Sequence, residues 1–279
     1  VELHFSERAA AVYEVPGAAS DGCRLCRQNV LSAKRYGGRM MNYTEVTGIE
    51  QQNGQVTAVK IRNTLTGEIG SIECDIVVNA AGSWVGQVAG LAGIKINVIP
   101  DRGTLIAFNH RFTDRIMNRL RPPANADIFV PHGSVTLLGT TSSPTERPDD
   151  FTPTTEEVLT LIEEGKQLFD ELPQYRLLRA YTGTRPLYCA DPTAATREIS
   201  RNFVILDHAK EGLDGLISIV GGKLTTYRLM AEKISDAICA KLSLQAPCRT
   251  AEEALVADIT PELMQQAKQR FQLEPSSKV

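Results

Sequence analysis

The residues best placed for chemistry are two cations set beside glycine or proline. Lys223 stands in the run 218–228, where Gly221-Gly222 precede it and Leu224-Thr225-Thr226 follow. An apolar strand running into two glycines and then a helix leaves free N–H groups and about half a unit of positive charge at the turn, a setting for an anion or a polarised carbonyl. The spacing is not that of a GxxxxGK[ST] phosphate loop, whose first glycine is missing. A capped helix with a solvated lysine is the ligand-free reading of the same turn. Arg185 lies in Tyr181-Thr182-Gly183-Thr184-Arg185-Pro186-Leu187. Pro186 fixes the backbone after the arginine and Gly183 permits close approach. A guanidinium held in this way suits bidentate capture of phosphate or carboxylate, and equally a structural ion pair.

A third stretch, 78–84, carries Asn79-Ala80-Ala81-Gly82-Ser83-Trp84. Small residues between a buried strand and a helix let a ligand approach the backbone at the carboxyl edge, where open α/β sheets bind nucleotides; a tight turn without a ligand has the same residues. His4, His110, His132 and His208 are far apart, form no metal-ligand pair and are expected on the surface or in loops. The Cys23-x-x-Cys26 pair lacks the second Cys/His pair that zinc requires, and reads as two small residues on one helix face.

The elements that must position these residues follow from periodicity. Residues 8–16 read as a strand ending at Pro16. From Asp21 the spacing of Leu25, Val30, Leu31 and Ala33 predicts a helix that Gly37-Gly38 stop. Residues 39–50 are β-like, and 55–63 alternate strictly. With a Thr66-Gly67 turn and a further strand over 68–73, they make a hairpin. Residues 74–81 form a continuous apolar strand, expected to be covered on both faces as in a parallel sheet. Gly82 and a helix-compatible segment, 84–92, complete a strand–glycine–helix order.

Residues 104–109, 127–130 and 134–139 read as antiparallel strands, and 144–153 as a surface loop. Thr154 or Thr155 caps a helix running through Leu168 to Pro173. Strands at 175–187, 202–207 and 216–220 follow, then a helix over 224–242 and a helical, polar stretch at 261–271. The sequence is therefore α/β (α+β overall), with an antiparallel β region interrupting an α/β domain.

The 42% hydrophobic and 23% charged composition is that of a globular protein, and a net charge of −3 with scattered basic residues excludes a nucleic-acid binder. No apolar run approaches the roughly 18–20 residues of a membrane span, and no secretory signal is visible. Six sparse cysteines point to a reducing, cytosolic compartment rather than a disulfide scaffold. A first residue other than Met is expected of a fragment, and equally of a chain whose Met was removed or that was processed.

Six segments together resemble the FAD-dependent glycerol-3-phosphate dehydrogenases of the D-amino-acid-oxidase-like flavoprotein superfamily, most closely the large catalytic polypeptide of the anaerobic bacterial type. They are VVNAAGSW (77–84), RGTLIAFNHRF (102–112), ADIFVPHGSVTLLGTTS (126–142), LLRAYTGTRPL (177–187), ILDHAKEGLDGLISIVGGKLTTYRLMAE (205–232) and PCRTAEEAL (247–255). The joint presence of GTRPL and GGKLTTYR is the specific part; NAAG is shared by many flavoproteins.

The resemblance implies the C-terminal part of a Rossmann-like FAD-binding domain interrupted by a substrate (cap) domain. Its expected division is a substrate-domain strand at 1–20, FAD-binding parts at 21–98 and 198–245, a cap at 99–197 and a helical extension at 246–279. It also implies FAD contacts from the backbone of Val46 to the adenine, from Ala81, Gly82 and Trp84 to the nucleotide half, and from Gly221, Gly222, Leu224, Thr225 and Thr226 to the flavin ring and ribityl chain. Arg185 and Lys223 match residues that hold the substrate. The implied reaction is hydride transfer from C2 of glycerol 3-phosphate to flavin N5, with electrons passed to quinone through partner subunits on the cytoplasmic face of the inner membrane.

Two departures matter: the GxGxxG fingerprint of the first strand is absent, and so are the substrate-contacting residues that the family has near its N-terminus. Leu105 stands where some relatives have a histidine, a position at which the anaerobic type resembles this chain, and the cysteine-rich segment of longer relatives is not present, since no cysteine follows Cys248. The alternatives are an amine or amino-acid oxidase of the same superfamily, and a non-catalytic remnant unable to bind FAD by itself.

Overall fold

Asp21 opens the first regular element of the computed structural model, which describes residues 13–15, 19–122, 124–188, 202–255 and 265. Its carboxylate accepts the Arg24 N–H at 3.0 Å, capping helix α1 (Gly22–Arg35), and Gly37 takes the left-handed φ of +82° just beyond the helix end. Helix α1 belongs to a compact unit formed by Ser20–Asn42 and Ala246–Val279. Within that unit the Tyr36 hydroxyl donates to Glu253 Oε2 at 2.8 Å.

The rest of the chain through Gln245 forms the second unit. It begins with a three-stranded antiparallel meander, β1 (Thr44–Gln52), β2 (Gln55–Asn63) and β3 (Ile69–Glu73). The strand expected from residue 39 starts only at Thr44, because Tyr43 has a φ of +53° that no strand accommodates. Asn53-Gly54, both at positive φ, close β1 onto β2 as a two-residue hairpin turn.

The continuous strand expected over 74–81 is shorter, being only β4 (Val77–Asn79), and Val78 is exposed. The preceding residues are drawn toward the meander: the Cys74 N–H bonds Thr57 O, and Asp75 O accepts from the Gln55 side chain. A 3₁₀ turn (Gly82–Trp84) then leads into helix α2 (Val85–Gly90).

The middle of the unit is antiparallel. Strand β5 (Val98–Phe108) is flanked by β10 (Leu177–Tyr188) and β8 (Val135–Gly139). Strands β7 (Ile128–His132) and β6 (Met117–Asn118) extend the sheet, and β9 (Ser143–Pro144) adds to β5. Helix α3 (Thr155–Gly165) is fixed by a capping box in which Thr154 Oγ1 accepts the Glu157 N–H and Glu157 Oε2 accepts the Thr154 N–H.

Helix α3 ends at Gly165 instead of running to Pro173. Gly165 packs so closely that a Cβ there would stand 2.6 Å from Leu138 and Leu172, and a 3₁₀ turn (Leu172–Gln174) returns the chain to the sheet. Phe108, Phe112, Phe129 and Phe169 form the buried aromatic centre beneath α3. At about 1.5–3 kcal/mol for each large side chain buried, this part of the core holds the sheet against its helix.

The chain closes with β11 (Phe203–Asp207), a 3₁₀ turn (His208–Glu211), β12 (Leu216–Gly221), a 3₁₀ turn (Leu224–Thr226) and helix α4 (Tyr227–Lys241). Strand β12 lies between β11, antiparallel, and β4, parallel. Two strands far apart in sequence thus share one small sheet, with the antiparallel sheet inserted between them. This is the α/β class expected. The predicted strand over 8–16 and helix over 261–271 lie largely outside the described residues, and Tyr13, Glu14 and Val15 form no strand.

Candidate functional site

Parallel pairing sets the site. The register Leu216↔Val77 to Ser218↔Asn79 makes β4 and β12 end side by side, so the Ala80-Ala81-Gly82 and Gly221-Gly222 turns leave the sheet at the same carboxyl edge. Gly221 and Gly222 both need their left-handed φ of 83° and 80°. A Cβ on Gly221 would stand 2.5 Å from Asn202 O, and one on Gly222 2.4 Å from Met230 Sδ.

A buried polar chain ties the two strands together below these turns. Asn79 Nδ2 donates to Val85 O at 2.8 Å and to Ser218 Oγ at 3.3 Å, while His208 Nε2 lies 2.8 Å from the same hydroxyl. His208, expected on the surface, is 1% exposed, because its turn tucks it against β12. Its Nδ1 lies 3.3 Å from Glu211 Oε2.

Strand β10 crosses against both turns, and Ser83 Oγ fastens it by donating to Thr184 O at 2.8 Å. The next residue is Arg185. Its Nη1 donates to Asp101 Oδ2 at 2.6 Å, and its Nη2 to Thr140 Oγ1 at 2.6 Å and Thr141 O at 3.3 Å. Asp101 is the Cα partner of Arg185 in the β5–β10 ladder and is 1% exposed, whereas the arginine side chain is 25% exposed.

The close approach foreseen at Gly183 belongs to its cross-strand partner. A Cβ on Gly183 would meet nothing within 4 Å, but one on Gly103 would sit 2.2 Å from Arg185 Nη2. Gly103 is the space into which the guanidinium fits.

Lys223 is exposed, and among the described residues no carboxylate pairs with it. Its backbone N–H is capped by Thr226 Oγ1 at 3.1 Å, which commits the Thr226 hydroxyl to the turn itself. The amides of Leu224 and Thr225 begin the 3₁₀ turn and have no carbonyl inside it to bond.

Arg185, Gly221, Gly222, Lys223 and Leu224 line one cleft of about 690 Å³, together with Ala80, Tyr227 and Met230. Of the other expected contact residues, Ala81 and Gly82 lie in the adjoining turn. Trp84 stands 6.0 Å from the ring of Phe151, Thr225 and Thr226 continue the helix start, and Val46 lies apart on β1 of the meander. Asp101, Gly103, Thr140 and the Asn79–Ser218–His208 chain are not evident from the sequence. Asp-Arg-Gly in a strand opposite Thr-Arg-Pro was the available signal, but it is meaningful only once the two strands are known to pair.

The sequence profile of a family described as FAD dependent oxidoreductase matches residues 2–228. The A subunit of the anaerobic glycerol-3-phosphate dehydrogenase of Escherichia coli is 43% identical over 251 residues, covering 89% of this chain and 46% of that protein. The A1 subunit of the Haloferax volcanii enzyme is 40% identical, covering 91% and 46%. The solved glycerol-3-phosphate dehydrogenase of Bacillus halodurans, complexed with FAD, superposes with a TM-score of 0.70 at 25% identity, over 88% of this chain and 49% of its own. The chain spans about half the length of the curated relatives it matches. A profile match that takes in both glycine turns, the Arg185 strand and Lys223 places the chain in the FAD dependent oxidoreductase family.

Proposed function

We propose that this chain is the flavin-closing and substrate-facing part of an FAD-dependent glycerol-3-phosphate dehydrogenase. The observation that carries the reading is the meeting of Arg185 and Lys223 at one cleft whose floor is a pair of obligatory glycines at the ends of parallel strands. Similarity to relatives named for this activity supports it.

The residues fit one end of the cofactor. Gly221 and Gly222 bring backbone to the cleft without a side chain, and the helix start behind them presents open amides to a partial negative charge. Gly221, Gly222, Leu224, Thr225 and Thr226 would hold the flavin ring and ribityl chain, Ala81, Gly82 and Trp84 the nucleotide half, and Val46 the adenine. The GxGxxG segment that would grip the pyrophosphate is not in these residues. Bound FAD would supply the acceptor, at N5, for the hydride from C2 of sn-glycerol 3-phosphate, with the C2 hydroxyl proton passing to solvent as dihydroxyacetone phosphate forms.

The chain's own residues bind and polarise. Arg185 is tethered at both Nη atoms and retains its Nε–H and an Nη1–H for substrate oxygens. Lys223 is long, exposed and unpaired among the described residues, so it can reach the C2 oxygen and stabilise the charge that develops there. The division into FAD-binding parts at 21–98 and 198–245 around a cap at 99–197 belongs to the same proposal. So does delivery of electrons to quinone through partner subunits at the cytoplasmic face of the inner membrane. Among the described residues no helix is long and apolar enough to cross a membrane.

The test is spectroscopic: the full-length protein, loaded with FAD, is mixed anaerobically with glycerol 3-phosphate. Bleaching of the oxidised flavin band by this substrate, and not by glycine or other amines, is the expected result. Flavin reduced by amines and untouched by glycerol 3-phosphate would replace the reading with an amine oxidase.

A further inference from the structure

We propose that Asp101 is the positioning residue of the cleft, fixing where the Arg185 guanidinium stands; the claim rests on the functional reading above for the identity of the substrate. Asp101 is almost wholly buried and both of its oxygens are used. Oδ2 accepts from Arg185 Nη1 at 2.6 Å, and Oδ1 accepts from Ser142 Oγ at 2.8 Å. A carboxylate held at two points has one orientation, and the arginine bonded to it inherits that orientation.

Two neighbours complete the seat that Asp101 orients. Thr140 Oγ1 takes Nη2 at 2.6 Å, and the missing side chain of Gly103 admits the group at a point where a Cβ would be 2.2 Å away. The strand that carries Asp101 is itself pinned from its next residue. Arg102 pairs with Asp150 at 2.7 Å and with the buried Glu157 at 3.2 Å.

The pairing also sets charge. Arg185 and Asp101 together carry none, so the uncompensated positive charge on this cleft is that of Lys223. Asp101 thereby makes Arg185 a fixed hydrogen-bond donor to a substrate oxygen and leaves stabilisation of charge at the C2 oxygen to the other cation.

The experiment uses the full-length, FAD-loaded protein and compares wild type with Asp101→Ala, Asp101→Asn and Ser142→Ala. Flavin content, steady-state kinetics with glycerol 3-phosphate, and perturbation of the oxidised-flavin spectrum by dihydroxyacetone phosphate are measured. Asp101→Ala is expected to raise KM, and weaken product binding, by about tenfold or more, the worth of one charge-assisted hydrogen bond. Flavin content stays unchanged and kcat moves by less than about twofold. Asp101→Asn, which keeps an acceptor for Nη1, recovers most of the loss, and Asp101→Ala adds nothing in an Arg185→Ala background.

An unchanged KM, or a fall in flavin content and kcat without a KM effect, overturns the proposal. Should Asp101→Ala not accumulate as folded protein, Ser142→Ala decides: about a threefold rise in KM is expected from loss of the Oδ1 bond alone, and none contradicts it. Should wild type fail to bleach with glycerol 3-phosphate, the functional reading falls separately. The positioning claim is then read from crystal structures, in which the guanidinium of Asp101→Ala must leave Thr140; one that stays in place refutes it.

Discussion

The two cations of the cleft are held in opposite ways. Arg185 is tied at both terminal nitrogens to a buried carboxylate and to Thr140, in a notch left by Gly103. Lys223 sits at the head of a helix with its backbone fixed by Thr226 and its side chain exposed. A rigid donor recognises geometry, while a mobile ammonium follows charge. Under the proposed function, this contrast gives substrate placement to the strand side of the cleft and charge stabilisation to the helix side.

Each side breaks differently. Lys223→Ala has the largest expected effect on turnover, a loss of about 10²–10³ in kcat, as for removal of a donor to a developing oxyanion. Thermal stability stays unchanged because the side chain is exposed. Stopped-flow reduction of the flavin measures it, and a full-rate variant would remove the lysine from the chemistry. Arg185→Ala is expected to raise KM about 10–100-fold and also to destabilise the protein by about 3 kcal/mol, because Asp101 is left as a buried unpaired charge. Denaturant titration beside kinetics separates these terms. Arg185→Lys should restore little, since one ammonium cannot reach Asp101 and Thr140 together.

Gly222→Ala probes the floor between them. Its φ of +80° and the 2.4 Å approach to Met230 Sδ are expected to cost about 1–3 kcal/mol and to lower flavin occupancy. Flavin content per folded protein checks this, and full occupancy would show that the turn need not approach the ligand.

The smallest effect is one of pH. Arg119 and Arg121, against some opposition from burial, hold the Glu164 carboxyl below its ordinary range. Burial pushes Glu157 upward, but the Thr154 N–H and Arg102 outweigh it and leave Glu157 lowered as well. Depressed folded pKa values mean that this stabilisation is fully present above the unfolded glutamate value of about 4.3, and is lost as pH falls through the lower folded values. Equilibrium unfolding followed from pH 7 downward should therefore be flat at first and fall below about pH 4, with a shallower fall in Glu164→Gln.

How much of this was legible in the sequence depends on range. Helix α1, β2, β12 and a cap at Thr154 or Thr155 were readable because Asp21, strict alternation, a continuous apolar run and threonines before Glu156-Glu157 are local signals. The ends of β4 and α3 were not, since they are set by Gln55 reaching Asp75 and by Leu138 and Leu172 closing on Gly165. The candidate site divides in the same way. Lys223 and the two glycines lie on one short run, and Arg185 beside its proline invites attention. Asp101 lies across a sheet from Arg185, and His208 below a strand, so only pairing reveals them.

The most direct measurement is anaerobic titration of the full-length, FAD-loaded protein with sn-glycerol 3-phosphate, in wild type and in Lys223→Ala and Arg185→Ala. Stoichiometric bleaching is expected in wild type, slow bleaching at saturating substrate in Lys223→Ala, and bleaching that needs far more substrate in Arg185→Ala. Flavin that glycerol 3-phosphate leaves oxidised, or two variants that respond alike, would contradict it.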